Sequence, residues 1–230
     1  MAVRLMKRRD SLRCPSFLQL RAAALPRGKG NDIMDAIKNM LSRRSVRVYT
    51  DEQISDEALH TILECGLYAP NGGNLQMPRF LVVQDSARME RLNAVIQREL
   101  ASRELVDGQM MNRGILRARK EGYHFIHHAP TLISAVAPRT YGNAMADCTC
   151  ALENMQLAAA ALGLGACWSN QPHWLTDVPA LRACFEELGL REYEDIFGSV
   201  SIGHIGYEAA KAAPRKPDRV QLDIPRDLEK

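Results

Sequence analysis

Apolar positions along the chain change period repeatedly, and each change marks an element. Ile37, Met40 and Leu41 share one face of a short helix. The next stretch, 42–49, is too charged for a core element. Ser55 then has the character of an N-cap, and Asp56 and Glu57 follow where a helix dipole favours acids. Leu59, Ile62, Leu63 and Leu67 continue at helical spacing until Pro70. Phe80–Gln84 reads as a strand, and Leu92, Val95, Ile96 and Leu100 mark another helix. Residues 101–124 are polar and uneven and predict a helical or mobile excursion. Thr131–Ala137 is a second strand, Asp147–Leu162 a helix and Ala166–Ser169 a short strand. Pro179–Leu188 is a helix with Gly189 just past its end, and Ile196–Ile205 is the last strong strand. Alternating helices and strands predict a layered α/β or α+β domain.

Two segments depart from a plain core pattern. Asn71-Gly72-Gly73-Asn74 is a loop suited to positive φ. The helix from Asp147 carries Ala158–Ala161, whose small side chains let a neighbour approach closely. Its only strongly polar positions after Asp147 are Glu153, Asn154 and Gln156, so it needs cover on nearly all sides. That cover comes either from its own domain or from a second chain.

Charge redraws the chain's boundaries. The net charge is +3, yet residues 1–33 alone carry +6, which leaves −3 on the remainder. A nucleic-acid role inferred from the basic balance would therefore rest on the first segment, which has little aromatic interleaving. Its composition suits a targeting peptide, and equally a start upstream of a natural one at Met34. Residues 1–33 are expected to be a basic, disordered extension, and 34–230 a single domain. The longest apolar run, Leu157–Trp168, has twelve residues, short of the ~18–20 of a membrane span. The six cysteines are scattered without a CxxC pair. Cys148 and Cys150 would point to different faces of one helix, so reduced thiols in a cytoplasmic protein are expected.

Familiar catalytic signatures are absent: there is no phosphate-binding G-x(4)-G-K-[ST], no H-E-x-x-H and no G-x-S-x-G. His127 and His128 are adjacent and diverge, so no metal is expected. Arg43, Arg44, Ser45 and Arg47 place three guanidiniums and a hydroxyl within five residues. They suit a phosphate clamp by charge-assisted bonds, and equally a solvated basic turn. Arg215 and Lys216, stiffened between Pro214 and Pro217, fit either a linker or the other half of an anion site. In the Pro70–Gln76 loop, Asn74 and Gln76 offer donors and acceptors suited to a heteroaromatic edge; an ordinary turn has the same composition.

Taken in order, Arg43-Arg44-Ser45-Val46-Arg47, Ala69–Gln76, Asp147 with Glu153–Ala159 and Leu162–Gly165, and Gly203–Tyr207 with Pro214–Pro217 resemble the nitroreductase family of FMN-dependent oxidoreductases. The resemblance spans about residues 34–216, and it places the family start near Met34. It implies an α+β fold, a three-layer α/β/α sandwich, in a homodimer with FMN at the subunit interface. It assigns Arg43, Arg44, Ser45 and Arg47 to the phosphate and polar side of the flavin, with Arg47 at either the phosphate or the pyrimidine edge. Arg215 and Lys216 would close on the phosphate. Pro70, Asn71, Gly72, Asn74 and Gln76 would reach FMN from the other subunit, and Trp168, Ser169, Asn170 and Gln171 would face the ring. Met77-Pro78-Arg79 departs from the Pro-Trp that many members carry after the loop Gln, and Asn170-Gln171 from the acid or glycine of their ring-facing turn.

The implied activity is hydride transfer from NADH or NADPH through FMN to a small-molecule acceptor such as a nitroaromatic or quinone. No side chain is needed as a nucleophile, because the cofactor carries the chemistry. Reductive dehalogenation, ene reduction and flavin handling use the same fold, and a flavin-binding regulator without turnover is a further class. Neither a nucleic-acid nor a membrane partner is expected.

Overall fold

The computed structural model describes residues 36–207, 212–217 and 219, which belong to the compact unit Asp35–Lys230. The expected extension, 1–33, lies outside the described residues, as does Cys14. The element order is α1 (Ala36–Ser42), α2 (Asp56–Leu67), β1 (Arg79–Val83), α3 (Ser86–Ala101), α4 (Met111–Ala118), β2 (Thr131–Pro138), α5 (Ala144–Ala161), β3 (Gly165–Ser169), α6 (Gln171–Trp174), α7 (Pro179–Glu186) and β4 (Glu194–Gly203). The four strands form one antiparallel sheet in the order β1-β2-β4-β3.

The sheet is apolar on both faces because helices cover both. From Thr131 to Ala137 every residue of β2 is buried, and its side chains alternate between two cores. Leu132 and Val136 join Ile196, Leu92, Ile96 and Phe185 on one face, under α3, α4 and α7. Ile133, Ala135 and Ala137 join Val200, Ile202, Leu152 and Met155 on the other, against α2 and α5. The expected α/β/α layering is therefore what the two cores form.

A bulge reconciles the two faces along β4. Ala135 pairs with Gly198, but Val136 pairs with Ile196, so Phe197 is left over. That extra residue reverses the side-chain parity of β4. Ile196 then faces the α3 side, while Val200 and Ile202 face α5.

The α2–α5 packing depends on missing side-chain volume. A Cβ on Gly66 would lie 2.2 Å from Met155 Cε, so glycine there lets α2 seat on α5 without displacing the Met155 side chain. Ser55 caps α2 as its sequence predicts, accepting from the Ala58 N–H at 3.1 Å. Ala159 is fully buried inside its own chain, so at that position α5 is covered by its own domain, while Ala161 at its end is exposed. Cys148 is buried and Cys150 exposed, on different faces as expected, and the described cysteines are free thiols.

The 101–124 excursion is anchored through α3. Asn93 donates to the Tyr123 carbonyl (3.1 Å) and accepts from the Phe125 N–H (3.0 Å). His124 continues the clamp, with its Nδ1 accepting from the N–H groups of Ile126 (3.4 Å) and His128 (3.3 Å). That leaves the ring proton on Nε2, which lies 3.7 Å from Glu90 Oε1. Its side chain is 2% exposed, and burial, reinforced by His128 and His127, lowers its pKa to about 4.

The consequence for acid stability has a definite sign. Above pH 6.5 His124 is neutral in both folded and unfolded chains and contributes nothing. Between 6.5 and about 4 the unfolded chain binds a proton that the folded chain refuses, so stability falls as pH falls. The full loss is roughly 3 kcal/mol. Urea titrations at a series of pH values should show that slope, and His124→Gln should flatten it; an unchanged slope would remove His124 as its source.

Candidate functional site

Residues 43–49 run along the sheet's β3 side, which fixes the basic cluster to a rigid support. Ser45 bridges Ala166 in parallel sense, and the Val46 N–H donates to the Ala166 carbonyl at 3.0 Å. Val46 plugs against Gly165, where a Cβ would lie 2.8 Å from it. Tyr49 locks the far end, its hydroxyl donating to the Val46 carbonyl (2.8 Å) and meeting Ser201 Oγ (3.0 Å). Burial raises the pKa of that phenol, so it remains a hydroxyl.

The basic side chains then take different roles. Arg43 is partly buried, and its Nε lies 3.5 Å from Glu153 Oε1 without forming a hydrogen bond; it is a buried donor with no acceptor. Arg44 folds back, donating to the carbonyls of Leu41 (2.9 Å) and Arg43 (2.5 Å). Arg47 is exposed. The charges of Arg47, Arg43 and Arg117 all reach the Cys167 thiol, which also bonds with Ser45. Burial outweighs these cations and raises the Cys167 pKa. The thiol is therefore neutral and cannot act as their counter-ion. Arg43 pairs with the half-exposed Glu153, and the charges of Arg47 and Arg117 add to the positive field at Cys167, an arrangement complementary to a bound anion.

The turn after β3 is built from side-chain bonds. Trp168 Nε1 donates to Asn170 Oδ1, Ser169 Oγ to Gln171 Oε1 (2.7 Å), and Gln171 Nε2 to the Tyr123 hydroxyl (3.5 Å). Trp168 fits because Gly198 lies beneath it: a Cβ there would be 2.6 Å from the indole.

Pro70, Asn71, Gly72, Asn74 and Gln76 sit elsewhere, at the N-terminal end of α5. Pro70, Asn71, Asn74 and Gln76 line a cavity of about 540 Å³ that also touches Phe80 and Asp147. Asn74 and Gln76 are exposed at the loop tip. Arg215 and Lys216 are exposed, and the Arg215 guanidinium donates to the Ala213 carbonyl at 2.7 Å. Among the described residues, no hydrogen bond or ion pair joins either the loop or the 215–216 pair to the Arg43 group. The arginine segment and the Trp168–Gln171 turn thus both adjoin β3, and the loop sits at the start of α5.

The profile of the Nitroreductase family matches residues 40–204. The chain belongs to that family. Among solved structures, the chain is similar to a nitroreductase with bound FMN from Bacteroides fragilis, with a TM-score of 0.74 and 32% identity over 83% of this chain and 99% of that one. A second FMN-bound nitroreductase, from Desulfitobacterium hafniense, has a TM-score of 0.70 and 26% identity, covering 82% and 98%. An Archaeoglobus fulgidus protein with the provisional name NADH dehydrogenase/NAD(P)H nitroreductase is 30% identical, over 74% of this chain and 85% of its own length.

Within this nitroreductase, several residues near the cluster were not legible from sequence. Arg117, in the last turn of α4, and His127 lie near Arg47, and the His127 pKa is lowered by burial and by those two cations. Arg117 comes from the polar excursion and His127 from just beyond it, where no periodic pattern flags either. His124 and His128 stand four apart, their rings 4.3 Å between centroids, with Glu90 alongside. That spacing was the available signal, and the adjacent pair His127-His128 obscured it. The set has metal-ligand chemistry, but His124 turns an N–H toward Glu90 rather than a lone pair. Arg79 bonds both oxygens of the buried Glu194 (2.7 and 2.6 Å).

Gly198→Ala should push the Trp168 indole out of its seat, at a cost of about 1–3 kcal/mol for overpacking. The expected outcome is a lower melting temperature with a shifted tryptophan emission; unchanged emission would place Trp168 away from Gly198 in solution.

Proposed function

We propose that this nitroreductase-family protein is an FMN-dependent oxidoreductase that passes hydride from NADH or NADPH to a small organic acceptor such as a nitroaromatic or quinone. The observation that carries the reading is the buried, unpartnered Nε of Arg43 inside a group of guanidiniums whose nearest thiol is neutral. A terminal phosphate satisfies that donor and that charge. No paired helix-strand glycine fingerprint for a dinucleotide accompanies it, which favours FMN over FAD. FMN-bound relatives of the same fold, and a relative named for NAD(P)H, support the assignment.

In this reading Arg43, Ser45 and Arg47 hold the phosphate and the polar side of the flavin, and Arg117 adds charge there. Arg44 supports the turn through its own backbone contacts. Trp168, Ser169, Asn170 and Gln171 border the ring. Arg215 and Lys216 reach the phosphate from the surface, where solvent screens them. When bound, FMN supplies the redox chemistry, accepting and returning a hydride at its N5. The protein's role is to bind, orient and stabilise negative charge with fixed donors.

The reading includes a homodimer. Met40 and Leu41, on the predicted apolar face of α1, are 59% and 72% exposed in the single chain. Leu67 and Tyr68, at the end of α2, are exposed as well. Such a surface calls for a partner, and a second copy would bring its Asn71–Gln76 loop to the arginine group. No helix among the described residues is long and apolar enough to cross a membrane, and the buried thiols are free; a reducing cytoplasm fits both.

The purified protein should be yellow, release FMN on denaturation and oxidise NAD(P)H with menadione. A colourless protein that also refuses added FMN overturns the reading. Arg43→Ala should weaken FMN binding about ten- to a hundredfold, the equivalent of roughly 1.5–3 kcal/mol for a charge-assisted contact. Arg215→Ala should cost less, because its side chain is exposed.

The dimer has its own test. Ala159 is buried in its own core, so a charge there would unfold each protomer instead of separating the pair. Leu41→Glu places the charge on the exposed α1 face instead. We expect light scattering to report a folded monomer with much reduced FMN retention; a dimer of unchanged mass and flavin content would move the interface elsewhere.

A further inference from the structure

Asp147 is a buried carboxylate, 6% exposed, in the first turn of α5. It does not cap its own helix. Its two oxygens accept from the Gly72 N–H at 3.2 and 3.1 Å, and Oδ2 accepts from the Tyr141 hydroxyl at 2.7 Å. Both partners lie outside α5, one in the 71–76 loop and one in the approach to the helix. The seat is closely built: a Cβ on Gly72 would be 2.2 Å from Asn143 Nδ2 and 2.8 Å from the Tyr141 hydroxyl.

The loop that this carboxylate holds is strained. Gly73, Asn74 and Gln76 have φ of +61°, +53° and +50°, and two of the three are not glycine. Left-handed residues persist only where the surroundings over-determine them, and they gather at ligand clamps. The loop's internal bonds, Gln76 N–H to Asn71 Oδ1 (2.9 Å) and Gln76 Nε2 to Asn74 Oδ1 (3.1 Å), fix its shape but not its position. Position comes from the Gly72–Asp147 contact, because Asp147 belongs to a helix packed on the sheet. Asn74 and Gln76 are thereby held out into solvent, away from the chain's own arginine group.

We propose that Asp147, with Tyr141, is the positioning pair that sets the Asn71–Gln76 loop for the flavin site of the partner protomer. This rests on the functional reading above, in which the loop serves the neighbouring copy. Asp147 touches neither flavin nor acceptor; it acts through Gly72.

Mixed dimers test the pair in the full-length holoprotein. Asp147→Ala should weaken FMN binding about tenfold by flavin-fluorescence titration, and Asp147→Asn, which keeps one acceptor, by threefold or less. Tyr141→Phe removes a single donor and should weaken binding two- to fivefold, which keeps the test open should Asp147→Ala fold poorly. Co-expressed Arg43→Ala and Asp147→Ala protomers with different tags then form a dimer with one site intact and one doubly impaired. That dimer should bind half its FMN with wild-type affinity, a rescue that a general loss of protomer stability would not produce. Two weak sites, or wild-type affinity in Asp147→Ala and Tyr141→Phe, would overturn the positioning role. The double variant Asn74→Ala/Gln76→Ala separates the two ideas. If it weakens FMN while the Asp147 and Tyr141 variants do not, the shared-site reading stands and the positioning pair falls. If it leaves FMN binding unchanged, the loop lies outside the site and both fall.

Discussion

Burial of β2 and β4 on both faces is the constraint from which the rest of the architecture follows. A sheet with two apolar faces needs two helical layers, and the chain supplies α3, α4 and α7 for one and α2 and α5 for the other. The bulge at Phe197 sets which layer Ile196 serves, since without it Ile196 would project into the α5 side. Close seating of α5 requires small residues, and Gly66 is the point where α2 would otherwise collide with it. The site inherits this geometry. Asp147 and Glu153 project from one helix at positions six residues apart, or about 9 Å along its axis. One ends beside the 71–76 loop and the other beside Arg43.

Much of this frame was legible in the sequence because it rests on local patterns. Apolar continuity marked all four strands to within about two residues at each end. Ser55, Asp56 and Glu57 marked the start of α2 through capping and dipole chemistry. The ordered basic and glycine-rich segments also carried the family. What could not be read depends on contacts distant in sequence. The cover of Ala159 by its own domain is a tertiary fact, since a uniformly apolar helix reads the same under its own sheet or a second chain. The Phe197 bulge has no local signature. Arg117 and His127 enter the site only because α3 clamps the excursion through Asn93 and His124.

The α1 face shows the converse. Its Ile37, Met40 and Leu41 were correctly grouped by period, and the period predicts burial against something. Met40 and Leu41 are nonetheless exposed, while Asn39 on the opposite side is buried and donates to the Leu157 carbonyl at 2.8 Å. Helical periodicity thus identifies which residues share a face, not which molecule covers it.

Charge distribution closes the argument for an anion. Outside residues 1–33 the chain carries a net −3, so its average field repels a phosphate. Around Cys167 the sign is locally reversed by Arg43, Arg47 and Arg117, and among the described residues Glu153 is ion-paired to Arg43. A cationic patch in an anionic body is costly unless something is bound there, because three guanidiniums repel one another and one of them has a buried N–H without an acceptor. A terminal phosphate offers several acceptor oxygens and up to two negative charges. It relieves both costs at once, whereas a neutral ligand could satisfy the N–H but not the charge. The asymmetry also explains why the polar loop tip stands apart. Asn74 and Gln76 carry no charge and cannot compete for the phosphate. In the proposed reading they take the hydrogen-bonding edges at the other end of an elongated ligand, with its anionic end on the arginines.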